Sequence, residues 1–404
     1  MKKNILSFLL TASITVTSFS QSSYQKDFNY FWQTINDNFA YFGKQPVNWE
    51  TAKTMYGRMA DTCTSRNSLV YIFELALNEL YNGHCFLNTN TPSSNRLIPS
   101  GADMKAVYTN GKLVIAELRP GFNAELCGLR KGMEILLIND MSVATAMGKF
   151  FPHPAGKPTQ AMMDYAANMA LAGRHDQPRK ITVNTGDGSK DYYPDAVPNK
   201  TETGFETLLE TKKLAGNAGY IRINNSLGND ELIKAFDLAL DSMMNTSSLI
   251  LDLRETPGGG TTTIARAIMG RFIDKEMPYQ KHIYTAEEKE TGIRRSTLEL
   301  VSPRGITYRK PLTILVSYWT ASMGEGMAIG FDAMKRAKVV GTPMAGLLGE
   351  IYTFETPELK IPFSFPTVQL QTVTGKPREE FKPSPLQPEQ EKLVRQAMQQ
   401  MKSL

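Results

Sequence analysis

One serine of this chain, Ser322, stands where a nucleophile could act. An apolar strand is predicted before it, over Pro311–Ser317, and a helix with apolar residues at helical spacing follows, over Met323–Lys335. A hydroxyl at a helix N-terminus lies beside unpaired backbone N–H groups and the positive end of the helix dipole, which stabilise developing negative charge. An ordinary N-cap serine occupies the same position. The segment therefore predicts either a nucleophile for acyl transfer or a helix cap.

A serine nucleophile also needs a base to take its proton, and histidine is the usual choice. The chain contains four histidines, His84, His153, His175 and His282. His84 follows a predicted helix end and opens into an apolar stretch, which suits a position at a domain boundary. The other three lie in polar, charged or proline-flanked stretches that are typical of surfaces. His84 is therefore the candidate base, with a purely structural histidine as the alternative.

A glycine run, Pro257–Gly260, lies between a predicted strand and a predicted helix. Such a run permits positive φ and a close backbone approach, and its N–H groups can point at an anion. A tight strand-to-helix turn or a phosphate loop would explain it equally well. No Lys-Ser/Thr pair follows, which argues against the phosphate loop.

The N-terminus reads as a targeting segment. Basic residues at Met1–Asn4 precede an apolar run, Ile5–Phe19, and Gln21 stands where a lipid-anchoring cysteine would be. This predicts a cleaved signal peptide over residues 1–20, too short for a comfortable membrane span. The mature chain is expected to be exported, to the periplasm or outside the cell, with no membrane span.

Charge and cysteine content exclude several classes. The net charge of +5 over 404 residues is spread along the chain without a long basic run, so nucleic acid is not an expected partner. Cys63, Cys85 and Cys127 allow at most one disulfide and have no metal-site spacing. Cys85, beside His84, could be a thiol nucleophile, although a small buried hydrophobe is the more ordinary role.

The hydrophobic pattern divides the mature chain into three regions. Residues 21–95 show helical spacing and predict an N-terminal helical domain; residues 96–200 change to short strands and turns. Residues 201–404 alternate apolar strands with helices and end in a helix, which predicts βαβ units and a mostly parallel sheet. Sites in such sheets gather at the carboxyl ends of strands, so this α/β core should carry the chemistry.

Within the middle region, Pro120–Leu136 closely resembles the matching segment of PDZ domains in bacterial proteases. The resemblance implies a PDZ-like domain over 96–200 that takes extended peptide tails by strand addition. Met133 stands where an Asp is usual, and residues from Met147 to Lys180 read as an inserted helix and loops. A spacer that binds nothing is the alternative.

A second resemblance spans nearly all of the mature chain. Leu249–Arg254 with the glycine run, Thr320–Ser322 with Glu325, and Ala337–Gly346 resemble the core of the S41 peptidases, the tail-specific and tricorn-core group. The helical segment ending in Leu80–His84 resembles the module that precedes the PDZ domain in that group. The resemblance implies an α/β core of the ClpP/crotonase type and a serine peptidase.

The family has two catalytic styles, and this chain fits the histidine-based one. The Ser-Lys style places its lysine where Leu347 stands here. The tricorn-like style uses a histidine from the module before the PDZ domain, which His84 matches. That style also has a Glu near the end of the core, which Glu379 matches best, with Glu380 as a rival. The resemblance thus implies Ser322 as nucleophile, His84 as base and Glu379 as the orienting group.

The same resemblance implies the oxyanion donors, namely the backbone N–H of Met323 and that of Gly258 or Gly259. Glu325 fits a capping box with Ser322, and we favour that structural role. Neither a metal nor an organic cofactor is required for this chemistry.

The sequence therefore predicts an exported serine endopeptidase acting on proteins or peptides, with a PDZ-like domain that selects C-terminal tails or gates the cleft. A catalytically inactive binding protein on the same scaffold is the main alternative. It is motivated by the missing lysine, by Asn82 where Asp is common, and by the altered ending around Phe381. A crotonase-like acyl enzyme is a third, more distant alternative.

Overall fold

The computed structural model describes residues 22–44, 46–151, 156–197 and 205–402. The predicted signal peptide, residues 1–20, lies outside the described residues. In the part that is described, no helix is both long enough and apolar enough to cross a bilayer.

The N-terminal helices form because their apolar residues recur on one face. They are α1 (Ser23–Asn38), α2 (Trp49–Asp61) and α3 (Arg66–Asn78), followed by the short strand β1 (Phe86–Leu87). Phe28, Phe31 and Ile35 on α1 are buried, as their helical spacing predicts. Side chains of α1 and α3 share their core with Phe363 and Phe365 from far along the chain, so this helical region is continuous with the rest of the protein.

The middle region, residues 95–197, is called the β-module below. Its elements are β2 (Met104–Thr109), β3 (Lys112–Leu118), α4 (Asn123–Leu126), β4 (Glu134–Ile138), β5 (Met141–Ser142), α5 (Val143–Gly148), α6 (Gln160–Ala172), β6 (Ile181–Asn184) and β7 (Ser189–Tyr192). The strands form an antiparallel sheet in the order β2-β3-β4-β6-β7, with β5 beside β4. The helix α6, which packs on β2, is the inserted helix that the sequence predicts.

The remaining elements build the α/β core. They are β8 (Leu209–Leu214), β9 (Ala218–Ile223), α7 (Glu231–Ser242), β10 (Ser248–Asp252), α8 (Thr262–Met269), β11 (Met277–Ile283), α9 (Thr285–Thr291), β12 (Ser296–Val301), β13 (Leu312–Val316), α10 (Met323–Ala333), β14 (Lys338–Gly341), β15 (Glu350–Glu355), β16 (Pro362–Gln371) and α11 (Pro388–Lys402). The order β14-β13-β10-β9-β8 is parallel except at β8, which confirms the predicted mostly parallel sheet.

A second, antiparallel sheet was not predicted from the sequence. Its order is β1-β16-β11-β12, with β15 also paired to β16. Through the β1–β16 pair, the chain just after His84 joins the sheet of the core. This pairing places His84 beside the loop 346–349, where its Nδ1 lies 2.6 Å from the Leu348 carbonyl.

Candidate active site

The turn that carries Ser322 leaves the carboxyl end of β13, and its backbone is strained. Ser322 has φ 53° and ψ −112°, a left-handed conformation that non-glycine residues rarely adopt. The turn is fixed by Thr320, whose hydroxyl donates to the carbonyl of Leu253 at 2.9 Å. Strained backbone of this kind costs about 1–3 kcal/mol and concentrates at functional sites. A sharp strand-to-helix turn with a serine at its tip is the geometry of a nucleophile elbow.

The glycine turn lies directly against this serine. Because β10 and β13 are parallel neighbours, the turns that follow them leave the sheet at the same edge. A Cβ placed on Gly259 would lie 2.9 Å from Ser322 Oγ and 3.5 Å from the amide nitrogen of Met323. Gly259 also has φ +64°. Only glycine fits here, and its lack of a side chain leaves backbone beside the serine hydroxyl.

The three predicted oxyanion donors differ in their hydrogen bonding. No partner for the Met323 amide is found among the described residues. The Gly258 amide donates to Asn225 Oδ1 at 2.7 Å, and the Gly259 amide donates to the Thr256 carbonyl at 3.2 Å. Met323 therefore offers an open donor, whereas a glycine amide must exchange its present partner to bind an oxyanion.

Glu325 does more than cap the helix. Its buried carboxylate accepts from the amides of Ser322 at 2.8 Å, Gly346 at 3.0 Å and Leu347 at 3.3 Å. The bond to Ser322 confirms the backbone half of the predicted capping box, and the other two were not predicted. Burial raises the pKa of Glu325 to about 7, although nearby Arg378 and the three amides oppose the shift. The Glu325 carboxylate thus links the turn that carries Ser322 to the loop 346–349.

His84 is held by the same loop. Its Nδ1 lies 2.6 Å from the Leu348 carbonyl, and because a carbonyl only accepts, Nδ1 carries the proton and Nε2 is left as an acceptor. This is the tautomer that a general base needs. Burial, with the neighbouring Arg378 charge, lowers the pKa of His84 to about 3. The imidazole is therefore neutral at physiological pH.

Asn82 fixes the position of His84 relative to the loop. Its Oδ1 accepts from the amides of His84 at 3.0 Å and Leu348 at 3.1 Å, and its Nδ2 donates to the Gly346 carbonyl at 3.3 Å. An aspartate here would lack the donor for Gly346. The departure from the common family residue therefore fits the local hydrogen bonding.

Arg378 is a part of the site that sequence reasoning missed. Its side chain is almost fully buried and donates to the carbonyls of Ser322 at 3.3 Å, Leu347 at 2.9 Å and Gly349 at 3.1 Å. It forms no ion pair with any acidic residue in the described part of the chain. Burying a cation without a carboxylate partner is costly, so Arg378 is a candidate functional residue. No signal in the sequence distinguishes it from a surface arginine.

Glu379, the predicted third member, lines a cavity together with Gly346, Leu347 and Leu348 of this loop. Within the described residues no hydrogen bond joins its carboxylate to His84, and its Oε2 is buried without a partner. Burial raises the pKa of Glu379, while Lys44 and Arg378 oppose the shift. The direct partner of His84 is instead the Leu348 carbonyl, and the role of Glu379 stays a prediction. Glu380, its rival, is exposed.

A cavity of about 450 Å³ lies beside the loop. Its lining joins all three regions, through residues that include Tyr41, Asn82, Lys105, Asn168, Gly346, Leu348 and Glu379. It provides room for a peptide next to the groups that hold Ser322 and His84. Among the described residues, no cluster of three or more His, Cys, Asp or Glu side chains could hold a metal ion.

Comparisons with known proteins identify related families and related folds. Residues 217–360 match the model of peptidase family S41, and residues 20–78 match that of the tricorn protease C1 domain. The structure of mature CPAF complexed with lactacystin is similar, with a TM-score of 0.60 and 13% identity over 90% of this chain and 93% of that chain.

Two further structures share the fold. The photosystem II D1 C-terminal processing protease has a TM-score of 0.55 and 16% identity, over 91% of this chain and 94% of that chain. A lipoprotein from Streptococcus agalactiae has a TM-score of 0.50 and 11% identity, over 96% of this chain and 99% of that chain. At these identities the structural likeness concerns the fold.

Proposed function

Since this chain belongs to the S41 peptidase family and is a serine-type peptidase, we propose that it cleaves proteins or peptides through an acyl-enzyme on Ser322. The observation that carries the proposal is the strained Ser322 turn with Gly259 against its hydroxyl. A helix cap needs neither the strain nor the glycine contact. Both are expected where a substrate carbonyl must fit between a nucleophile and backbone donors.

In the proposed reaction, Ser322 Oγ attacks the scissile carbonyl and His84 Nε2 takes its proton. The bond from Nδ1 to the Leu348 carbonyl holds the ring in the required tautomer. His84 then passes the proton to the leaving amine, and water hydrolyses the acyl-enzyme with the same residue as base. Burial makes His84 a weak base, so the step depends on stabilising the oxyanion that forms with it.

The oxyanion is proposed to bind the Met323 amide and a glycine amide. Met323 lies at the N-terminus of α10, where its N–H is open and the helix dipole favours negative charge. Of the two glycines, Gly259 is preferred because it lies against Ser322, whereas Gly258 is bound tightly by Asn225. Removal of one such donor typically costs about 100- to 1000-fold in rate.

We propose two supporting roles for the acidic residues. Glu325 fixes the turn that carries Ser322 relative to the loop 346–349 through its three amide contacts. Glu379 places negative charge on the cavity side of that loop, where it would offset the Arg378 cation when His84 is protonated.

Export is part of the proposal, and it is supported by the basic and then apolar residues at positions 1–20. The middle region is proposed to be PDZ-like, on the basis of the Pro120–Leu136 segment and its antiparallel sheet. N-terminal sequencing of the protein recovered from cell fractions tests the export. A mature start near residue 21 supports it, and an intact N-terminus in the cytoplasmic fraction contradicts it.

A serine-reactive fluorophosphonate tests the active site directly. The wild-type chain should be labelled at Ser322, and His84→Ala should slow labelling strongly, while His175→Ala, which changes an exposed histidine, should not. Cleavage of unfolded casein should follow the same order. If the folded wild type neither reacts with the reagent nor cleaves casein, the inactive binding protein becomes the better interpretation.

A further inference from the structure

The free edge of strand β2 is already occupied by a side chain. Among the described strands, β2 has one neighbour, β3, so one row of its backbone groups faces away from the sheet. The Ala106 amide donates to Asn168 Oδ1 at 3.0 Å, and Asn168 Nδ2 donates to the Ala106 carbonyl at 3.0 Å. In strand addition, a residue of the bound peptide would pair with the backbone N–H and C=O of Ala106. The Asn168 carboxamide already makes both of these hydrogen bonds.

Side chains of α6 also occupy the backbone of Tyr108, the next residue of β2 that faces the free edge. Gln160 Nε2 donates to the Tyr108 carbonyl at 2.9 Å, and burial raises the pKa of Asp164, against the smaller effect of the nearby Tyr108 backbone, which lowers it. Gln160, Asp164 and Asn168 are four residues apart, so they lie on one face of α6. Asn168 and Gln160 therefore occupy both backbone groups of Ala106 and the carbonyl of Tyr108, which an added peptide would bind.

The helix that carries these side chains is firmly anchored. Met162, Ala166 and Met169 of α6 are buried, and the Tyr165 hydroxyl donates to Asn78 Oδ1 of α3 at 2.9 Å. Exposing each large apolar side chain costs about 1.5–3 kcal/mol. A peptide that displaced α6 would gain hydrogen bonds worth about 0.5–1.5 kcal/mol each, in exchange for bonds already made. Displacement of α6 is therefore unfavourable.

The turn before β2, where a terminal carboxylate would be expected to bind, is also engaged. The Ala102 carbonyl accepts from Trp319 Nε1 at 2.7 Å, and the Asp103 carboxylate pairs with Arg179 at 2.6 Å. A cavity of about 690 Å³ adjoins this turn, and its three arginines are paired: Arg96 and Arg179 bind Asp195, and Arg119 binds Glu255. A terminal carboxylate is bound mainly by backbone amides. In this turn the Gly101 and Ala102 amides already donate to the carbonyls of Leu97 at 2.6 Å and Pro99 at 3.1 Å.

We infer that α6 closes the peptide-binding edge of the β-module from within the chain, so that the peptidase recognises internal polypeptide segments and is indifferent to the substrate C-terminus. The inference rests on the proposed function. It makes Asn168 a specificity-determining residue, because its carboxamide blocks strand addition. Substrate recognition then falls to the cavity beside the loop 346–349, whose lining also includes Asn168 and Lys105.

The kinetic test compares matched substrates. The peptides that the wild type releases from casein identify its cleavage sites. A longer casein segment that spans such a site is then synthesised in two forms, one with a free C-terminal carboxylate and one with a C-terminal amide. We expect kcat/KM values within twofold of each other, and equal affinities of the labelled free-acid and amide peptides for full-length Ser322→Ala. A tenfold preference for the free acid, or binding that amidation abolishes, overturns the inference.

Hydrogen exchange tests α6 independently of activity. Amides of β2 should be protected in the wild type, and Asn168→Ala should speed exchange at Ala106 at least fivefold. Asn168→Asp keeps an acceptor for that amide and should retain protection, and Asn184→Ala, on the distant strand β6, is the matched control. Unchanged exchange at Ala106 in a folded Asn168→Ala overturns the inference. Absence of any peptide cleavage would refute the proposed function and leave this measurement valid.

Discussion

Gly259→Ala probes the contact on which the nucleophile assignment rests. The new methyl carbon would lie 2.5 Å from Ser322 Cβ and 2.9 Å from Oγ, whereas carbon atoms normally approach to about 3.5–4.0 Å. One of the two turns must therefore shift by about 1 Å, and a misplacement of that size at reacting atoms costs about 100-fold in rate. This corresponds to about 2.7 kcal/mol of transition-state stabilisation.

The same substitution also forces a non-glycine residue into φ +64°, and that cost must be separated from the clash. Gly292→Ala is the matched control, because Gly292 has φ +71° and no heavy atom within 4 Å of the added methyl. Both variants should lose about 1 kcal/mol of unfolding free energy from backbone strain. Gly292→Ala alone should keep full activity.

The assay measures kcat/KM on a casein-derived peptide and the second-order rate of fluorophosphonate labelling, with urea titration for stability. We expect both rates to fall about 100-fold in Gly259→Ala. If this variant is folded and its rates stay within threefold of the wild type, the glycine turn does not line the reacting atoms. The oxyanion assignment would then be wrong.

Three further predictions concern the charged groups around Ser322. Arg378→Met removes the buried cation that opposes protonation of His84, so the pKa of His84 should rise. The pH below which the fluorophosphonate labelling rate falls should then move upwards. Arg378→Lys keeps the cation, so it should leave that pH unchanged but slow the labelling reaction. Because the pKa of Glu325 is raised from 4.5 to about 7, the folded state holds this proton more tightly than the unfolded chain. Its contribution to the free energy of unfolding should fall as pH rises from 4.5 to 7, and urea titrations of Glu325→Gln should lack that fall. The pKa of His84, lowered from 6.5 to about 3, acts in the opposite sense: its contribution is present above pH 6.5 and is lost as pH falls towards 3, a loss that His84→Asn should abolish. Unchanged pH profiles in these variants would contradict the assignments.

Much of the core was predictable because it depends on local periodicity. The strand and helix around Ser322 have strong apolar patterns, and the glycine run between β10 and α8 has a composition that few structures other than a turn accommodate. The parallel pairing of β10 with β13 follows from the βαβ pattern. The adjacency of Gly259 and Ser322 at one sheet edge then needs no further information.

The rest could not be predicted because it depends on contacts far apart in sequence. The second sheet joins β1 to β16, about 280 residues later, and no periodicity encodes that pairing. The partner of His84 is a backbone carbonyl, a group that every residue possesses, so no side-chain type signals it. Likewise, Arg378 differs from a surface arginine only in burial. Gln160, Asp164 and Asn168 do recur at helical spacing, but their target strand is unknown until the sheet is built.

The indole of Trp319 connects the nucleophile turn to the β-module, and this has a consequence for how the enzyme matures. Trp319 and Tyr318 belong to the apolar core of the β-module, although they precede Ser322 by only a few residues. A core expressed without the β-module would expose both aromatic rings and leave the turn without this support. If Ser322 is the nucleophile, as proposed, it should become competent only after residues 95–197 have folded and docked. A core expressed without these residues should therefore lack peptidase activity.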